Sequence, residues 1–342
     1  MPNAYISGTG FHVPPRIVTN DDLVAMGVDT TNEWVVQRTG IEARRFAAEG
    51  VGTSDLALPA ARDALERAGL KARDLDLIVL ATLSPEMAFP GSGVLLQQKL
   101  GLCDGDDPKF VPALDVRNQC SWFLYGLHVA TSVVKAGGGK HVLLVGAETH
   151  SAAIDVSTRG RTVSSLFGDG AGAVVVSATE QDRGVRGTWL GADGRFAEML
   201  CQKVWDIRKR PFIPVDERGV GQVDPEHMFA QMDGRTVFKH AVEKMCLAVM
   251  QACWATGVEP KDVDLFFFHQ ANMRINQYVA KQLGLRDDQV VHNIQRYGNT
   301  TAATIPILLA ETEREGRLKR GMKIAMVAFG SGFTWGSAIA DW

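Results

Sequence analysis

Apolar residues along the chain fall into two periodicities. Short continuous apolar or β-branched runs recur at 76–82 (DLIVLAT), 142–146 (VLLVG), 172–177 (GAVVVS), 264–268 (DLFFF) and 323–329 (KIAMVAF). Runs of this length and composition predict strands buried on both faces. Between them, apolar positions return at helical spacing, as in 54–69 (SDLALPAARDALERAG) and 236–257 (TVFKHAVEKMCLAVMQACWATG). Each of these helical patterns ends at a glycine, which predicts a C-cap. The alternation predicts an α/β fold with mostly parallel, buried strands.

The pattern repeats. Residues 54–82 run helix, glycine, LKARDLDLIVLAT; residues 236–270 run helix, glycine, VEPKDVDLFFFHQ. A second pair follows, with 111–147 (strand, DVRNQCS, helix, GGGK, HVLLVGA) matching 290–330 (VVHNI, RYGNT, helix, GMK, IAMVAFG). The chain reads as two copies of one unit joined near 176–190, with halves at 1–177 and 178–342, so that equivalent loops meet around a pseudo-twofold axis. Residues 195–233, with WDIRKRPFIPVDERGVGQVDPEHMF, fit neither copy and read as a long inserted segment. Loops this long in compact domains are surface insertions, lids or binding elements.

Composition narrows the function. The 342 residues are 46% apolar and 22% charged, a soluble globular balance. A net charge of −3 offers no basic footprint for nucleic acid. Five cysteines without a CxxC pair predict free thiols in a reducing compartment, with neither a zinc site nor a disulfide framework. No run reaches the roughly 20 apolar residues of a membrane span, and MPNAYISGTGFHVPP lacks the features of a signal peptide, so a cytoplasmic protein is expected. ISGTGFHVPP has a proline where a dinucleotide-binding helix would begin, and GDGAG at 168–172 lacks the Lys-Ser/Thr of a phosphate loop. No His/Glu cluster has zinc-ligand spacing.

Three residues carry candidate chemistry. Cys120 falls in the first turn of a helix predicted at about 120–136, where unpaired amides and the helix dipole should lower a thiol pKa and favour a nucleophilic thiolate. Asn299, in RYGNTTAATIPI, reads as its counterpart in the second copy. His269 directly follows the buried run DLFFF, at the strand end where α/β folds form crevices. Each has a plain structural use: a buried thiol, an N-cap, a loop histidine. Three together at matching ends of two repeats outweigh coincidence. Cys103, Cys201, Cys246 and Cys253 read as structural.

The stretches EWVVQRTGIEARRF, LFGDGAGAVVV, HQANMRI, RYGNTTAATIPI and FGSGFTWGSAIADW closely resemble the β-ketoacyl-acyl carrier protein synthase III family, from about Ile6 to Trp342. The resemblance implies a thiolase fold, two βαβαβαββ halves in five αβαβα layers, and a homodimer. It implies that Cys120 takes an acyl group from a CoA thioester. His269 and Asn299 would then bind malonyl-carrier protein and stabilise the enolate formed as CO₂ leaves, and the carbanion would attack the acyl group on Cys120. Donors aimed at a developing oxyanion are the physical requirement. The resemblance places the backbone amides of Cys120 and Ser331 in a second oxyanion hole, with serine where the family usually has glycine. It assigns Trp34, Arg38 and Arg161 to CoA, Asn272 and Arg274 to the pantetheine and carrier-protein sides, and Phe89 to the partner's acyl pocket. No metal or resident cofactor is implied; acyl-CoA and carrier-protein thioesters are the substrates.

Two features depart from the family pattern. Around the nucleophile the chain has Gln119-Cys120-Ser121-Trp122-Phe123, so a large Trp122 replaces a small residue and either shapes the acyl pocket or packs on the helix's far side. The 195–233 segment is the other. They keep open a relative that joins two β-ketoacyl chains without decarboxylation, or one that transfers acyl groups. A non-catalytic partner subunit is disfavoured because the cysteine is present.

Overall fold

Two sheets of the same design organise the chain, in a computed structural model that describes residues 2–204, 206, 208, 211 and 213–342. The first sheet has the spatial order Asn3–His12, Gly170–Thr179, His141–Glu148, Leu77–Ala81, Ala113–Asp115. The second has Gly184–Ala192, Thr334–Asp341, Lys323–Gly330, Leu265–Phe268. A parallel bridge from Phe266 to Val290 stands where the first sheet has its fifth strand. In chain order the first half reads βαβαβαββ, through helices Thr53–Arg67, Ser92–Lys99 and Trp122–Lys135.

The expectation of mostly parallel strands needs correction. In each sheet the first two pairings are antiparallel, and only the pairings beyond them are parallel. Crossover helices supply the parallel pairs, whereas Lys323–Gly330 and Thr334–Asp341 are joined by residues 331–333, too short for anything but an antiparallel turn.

Strand alternation builds the layers. Val79 and Ala81 face inward with Val142, Leu144, Val174 and Val176, against the buried face of Trp122–Lys135 and against Ile305, Leu308 and Leu309 of helix Thr304–Arg314. Phe267, Met326 and Ala338 of the second sheet close this central layer from the other side. Ile78, Leu80, Leu143 and Val145 point outward onto helix Thr53–Arg67. Phe266, Phe268 and Val327 point outward onto helices Gly234–Thr256 and Met273–Gln282. Each face is therefore covered, giving helix, sheet, helix, sheet, helix, and explaining why the strands read as unbroken apolar runs. The two outer helices stop where expected, at Gly69 and Gly257, both left-handed.

The inserted segment is pinned at its base. Leu200–Cys201 pairs antiparallel with Gln231–Met232, and Asp233 then caps helix Gly234–Thr256 by accepting from Thr236 N–H. Trp205, Ile207, Lys209, Arg210 and Phe212 of this segment lie outside the described residues.

Candidate active site

Cys120 sits in the 3₁₀ turn Gln119–Ser121 that leads into helix Trp122–Lys135. Gln119 before it has φ +45°, a left-handed conformation that costs a non-glycine residue about 1–3 kcal/mol. The second half repeats the device: Thr301, at φ +42°, opens the 3₁₀ turn Thr301–Ala303 ahead of helix Thr304–Arg314. The structural counterpart of Cys120 is therefore Ala302. Asn299 lies three residues earlier, a correction to the sequence alignment of the two copies, which had no way to register the turns.

Asn299 nevertheless reaches the thiol's cavity. Its Oδ1 accepts from Thr301 N–H at 2.8 Å, which leaves the amide nitrogen as the free end. Its backbone is clamped to Leu166 and Gly168. His269 follows strand Leu265–Phe268; its backbone N–H donates to Val327 O at 2.8 Å, and its Nδ1 pairs with Thr304 Oγ1 at 2.6 Å. The other ring nitrogen, Nε2, is buried without a partner. Burial drives the His269 pKa down to about 3, so the imidazole is neutral at physiological pH.

The thiol receives two backbone N–H groups, its own and that of Ser331. Ser331 comes this close because Gly330 precedes it: a Cβ on Gly330 would stand 2.7 Å from Cys120 Cβ. The expected low thiol pKa is overturned. Burial, with the charge of Glu148 adding to it, pushes Cys120 up to about 12, against the smaller pull of the two amides. A helix N-terminus favours a thiolate, but here desolvation is the larger effect.

Cys120, His269 and Asn299 line one cavity of about 470 Å³, and Trp34, Arg38, Asn272 and Arg274 line it too. Arg38 and Arg161 both place their guanidinium on the Trp34 ring, at 4.4 and 4.3 Å from its centroid. Asn272 caps helix Met273–Gln282 and donates to Arg38 O at 3.1 Å, tying the two rims together. The inserted segment supplies Leu200 and Met232 to the wall. A larger neighbouring cavity of about 1390 Å³ shares Thr162, Phe167 and Met232 with the first.

Two pocket residues fall elsewhere. Trp122 lines neither cavity, which corrects its assignment to an acyl pocket. It is fully buried in the central layer, where its Nε1 donates to Ala302 O and its ring fills space left by Gly126 and Gly146. A side chain on either glycine would collide with the indole. Phe89 is 85% exposed and borders only the larger cavity. Sequence reasoning missed Thr304 and Glu148. Glu148 closes the strand that opens as VLLVG, the place where a polar residue after an apolar run marks a crevice.

Comparison with known proteins shows the family and the fold. Residues 114–194 match the family described as 3-Oxoacyl-[acyl-carrier-protein (ACP)] synthase III, and residues 253–342 match its C-terminal counterpart. The chain is 43% identical over 339 residues to a beta-ketoacyl-[acyl-carrier-protein] synthase III of Thiobacillus denitrificans, covering 99% of both. It is 41% identical over 341 residues to the enzyme of that name in Rhodospirillum centenum, covering 98% of both. The crystal structure of 3-oxoacyl-[acyl-carrier-protein] synthase III from Aquifex aeolicus VF5 is 40% identical, with TM-score 0.85, over 99% of this chain and 100% of that one. The duplicated five-layer architecture is thus the thiolase fold of the condensing enzymes. Within that class the chain belongs to the 3-oxoacyl-[acyl-carrier-protein] synthase III family, whose members are condensing acyltransferases.

Proposed function

We propose that Cys120 is the acyl-carrying nucleophile of a decarboxylative condensation, with residues 1–177 supplying it and residues 178–342 supplying His269 and Asn299. The observation that carries this reading is the convergence of the thiol, the unpartnered imidazole nitrogen and the Asn299 carboxamide, held through its oxygen by Thr301, on one cavity. In the first half-reaction, sulfur bonds to the acyl carbon of an acyl-CoA and the CoA thiolate leaves with the thiol's proton. The amides of Cys120 and Ser331 hold the oxyanion. In the second, the bond from malonyl Cα to its carboxylate breaks, CO₂ leaves and the electron pair forms an enolate. Its oxygen accepts from His269 Nε2–H and Asn299 Nδ2–H. The enolate carbon then attacks the acyl carbon and Cys120 departs as a thiolate, which takes up a proton.

In this mechanism the Thr304 hydroxyl donates to Nδ1, 2.6 Å away, in preference to Thr301 O at 3.2 Å, which puts the ring proton on Nε2. Trp34 with Arg38 and Arg161 presents an aromatic face and two cations, fitting the adenine and phosphates of CoA. Arg38, Arg235 and Arg274 around the cavity suit an acidic acyl carrier protein. Phe89 is assigned to a second copy's acyl pocket in a homodimer. The reaction is written with thioester substrates; among the described residues no group of three His/Cys/Asp/Glu is placed to hold a metal ion. Free cysteines fit a cytoplasmic setting, and no described helix is long and apolar enough to cross a membrane.

Intact-protein mass spectrometry with acetyl-, octanoyl- and acetoacetyl-CoA, followed by malonyl-carrier protein, tests this reading. An acyl adduct is expected on wild type and not on Cys120→Ala, discharged by malonyl-carrier protein with CO₂ release. An adduct that malonyl-carrier protein leaves in place would overturn the decarboxylative step.

A further inference from the structure

The two backbone amides that meet at Cys120 come from different halves of the chain. Cys120 N–H belongs to the 3₁₀ turn Gln119–Ser121, and Ser331 N–H to the turn between strands Lys323–Gly330 and Thr334–Asp341. The two turns lie against each other: a Cβ on Gly330 would stand 2.7 Å from Cys120 Cβ and 3.1 Å from its backbone nitrogen. A side-chain hydrogen bond spans this seam. Ser121 Oγ lies 2.7 Å from Thr334 Oγ1, and Thr334 Oγ1 donates to Ser331 O at 2.9 Å. Asn118 holds Ser121 from the other side, its Nδ2 donating to Ser121 Oγ at 3.2 Å. Ser121 is fully buried.

Each hydroxyl has one proton to donate. With Thr334 donating to Ser331 O, Ser121 donates to Thr334, and both protons sit on the two shorter contacts; the other acceptor for Ser121, Asn118 O, is farther off at 3.4 Å. The far end of the Ser331 turn is fixed separately. Phe333 N–H donates to Asp193 O at 2.8 Å, and Asp193 N–H donates to Phe333 O at 2.7 Å. Between that clamp and Ser331 lies Gly332, at φ +134°, a residue with wide backbone freedom. Thr334 reaches back over Gly332 to Ser331 O, and across to the residue that follows Cys120. Other buried hydroxyls in the chain are satisfied within their own helix, as Thr131 is by Leu127 O and Thr312 by Leu308 O. This pair bonds between the halves instead.

We propose that Ser121 and Thr334 are positioning residues: their hydroxyl pair sets the spacing of the Cys120 and Ser331 amides, so that both N–H groups already aim at one carbonyl oxygen when an acyl thioester arrives. Preorganised donors need no rearrangement at the moment of reaction, and a misplacement of about 1 Å can cost about a hundredfold in rate. The proposal rests on Cys120 carrying the acyl group. Acyl transfer onto the sulfur and off it again uses the same pair of amides, so Ser121 and Thr334 serve both half-reactions, unlike His269 and Asn299.

The experiment compares wild type with Ser121→Ala, Thr334→Val and the double variant, and with Thr334→Ser, which keeps the hydroxyl. The donor is acetyl-, octanoyl- or acetoacetyl-CoA, whichever loads wild type fastest, isotope-labelled at its thioester carbonyl carbon. Intact mass follows loading, and infrared spectroscopy reads the carbonyl stretch of the acyl group on Cys120, which hydrogen bonds to its oxygen lower. Ser121→Ala and Thr334→Val should each lose about tenfold in kcat for loading with KM for the acyl-CoA unchanged. Their acyl carbonyl stretch should move to higher frequency, and transfer to malonyl-carrier protein should slow alike. Thr334→Ser should stay close to wild type in every readout. The double variant should be no slower than either single one, because each breaks the same bond. Either single variant suffices if the other folds poorly. Wild-type loading and frequency in a folded Ser121→Ala or Thr334→Val, a rise in KM alone, or losses that multiply in the double variant would overturn the proposal. A wild type that takes up none of the three acyl groups would overturn the nucleophile reading, and the positioning role with it.

Discussion

In the proposed mechanism His269 is a neutral donor through one hydroxyl. Thr304 Oγ1, at 2.6 Å from Nδ1 and 3.2 Å from Thr301 O, selects Nε2 as the protonated nitrogen when it donates to the ring. Thr304→Val keeps the shape and removes that choice. Condensation should fall by about tenfold or more while acyl loading of Cys120 is unchanged, as measured by separate half-reaction rates. Equal loss in both half-reactions would mean the threonine only packs. Because burial holds the His269 pKa at about 3, its protonation lies far below the working range. The condensation rate should show no His269 inflection between about pH 5 and pH 8; an inflection there that disappears in His269→Ala would contradict the neutral assignment. The three candidate residues that line one cavity stood out in the sequence, because a cysteine, a histidine and an asparagine at strand ends and helix starts are conspicuous. The raised pKa of Cys120 did not. Its causes are burial by both halves and Glu148, 28 positions along the chain, set against an amide from Ser331, which no local pattern brings together.

At the level of elements, the first repeated pair was legible as matching helix and strand, and the structure adds matching 3₁₀ turns, Ala72–Asp74 and Pro260–Asp262, at the two -D-L/V-D-L- stretches. The repeat failed at Asn299, because aligning helix starts by eye ignores the left-handed residue that sets where each turn begins. Trp122 was illegible for a related reason. The direction of the Trp122 side chain depends on two glycines, Gly126 one turn along its own helix and Gly146 on strand His141–Glu148, whose missing side chains make room for the indole. Trp122→Ala should cost about 3–5 kcal/mol of stability by opening a cavity and orphaning the Ala302 carbonyl. A denaturant titration measures that cost. Since Trp122 lines neither cavity, the ranking of acyl-CoA starters should stay the same among folded molecules. A changed ranking at unchanged stability would return Trp122 to the acyl pocket.

At the scale of the whole molecule, the first sheet ends on strand Ala113–Asp115, which pairs with no further strand among the described residues, and Phe110, Leu114 and Phe89 are exposed on this single chain. Unpaired strand edges beside apolar side chains invite another chain. A homodimer through this edge should sediment as twice the 37.1 kDa chain mass. Phe110→Asp combined with Leu114→Asp should shift it to monomer in analytical ultracentrifugation. A monomeric wild type at micromolar concentration would remove the role given to Phe89.

In the proposed mechanism the two halves of one duplicated fold divide two half-reactions. The most direct measurement is acyl loading and discharge, followed by intact mass, in His269→Ala and Asn299→Ala. Both variants should still acquire the acyl group on Cys120 at close to the wild-type rate. Both should then release CO₂ from malonyl-carrier protein about 10²–10³-fold more slowly, the typical cost of losing an oxyanion donor. Loading that fails in step with discharge, or discharge that survives both substitutions, would contradict the division of labour between Cys120 and the His269–Asn299 pair.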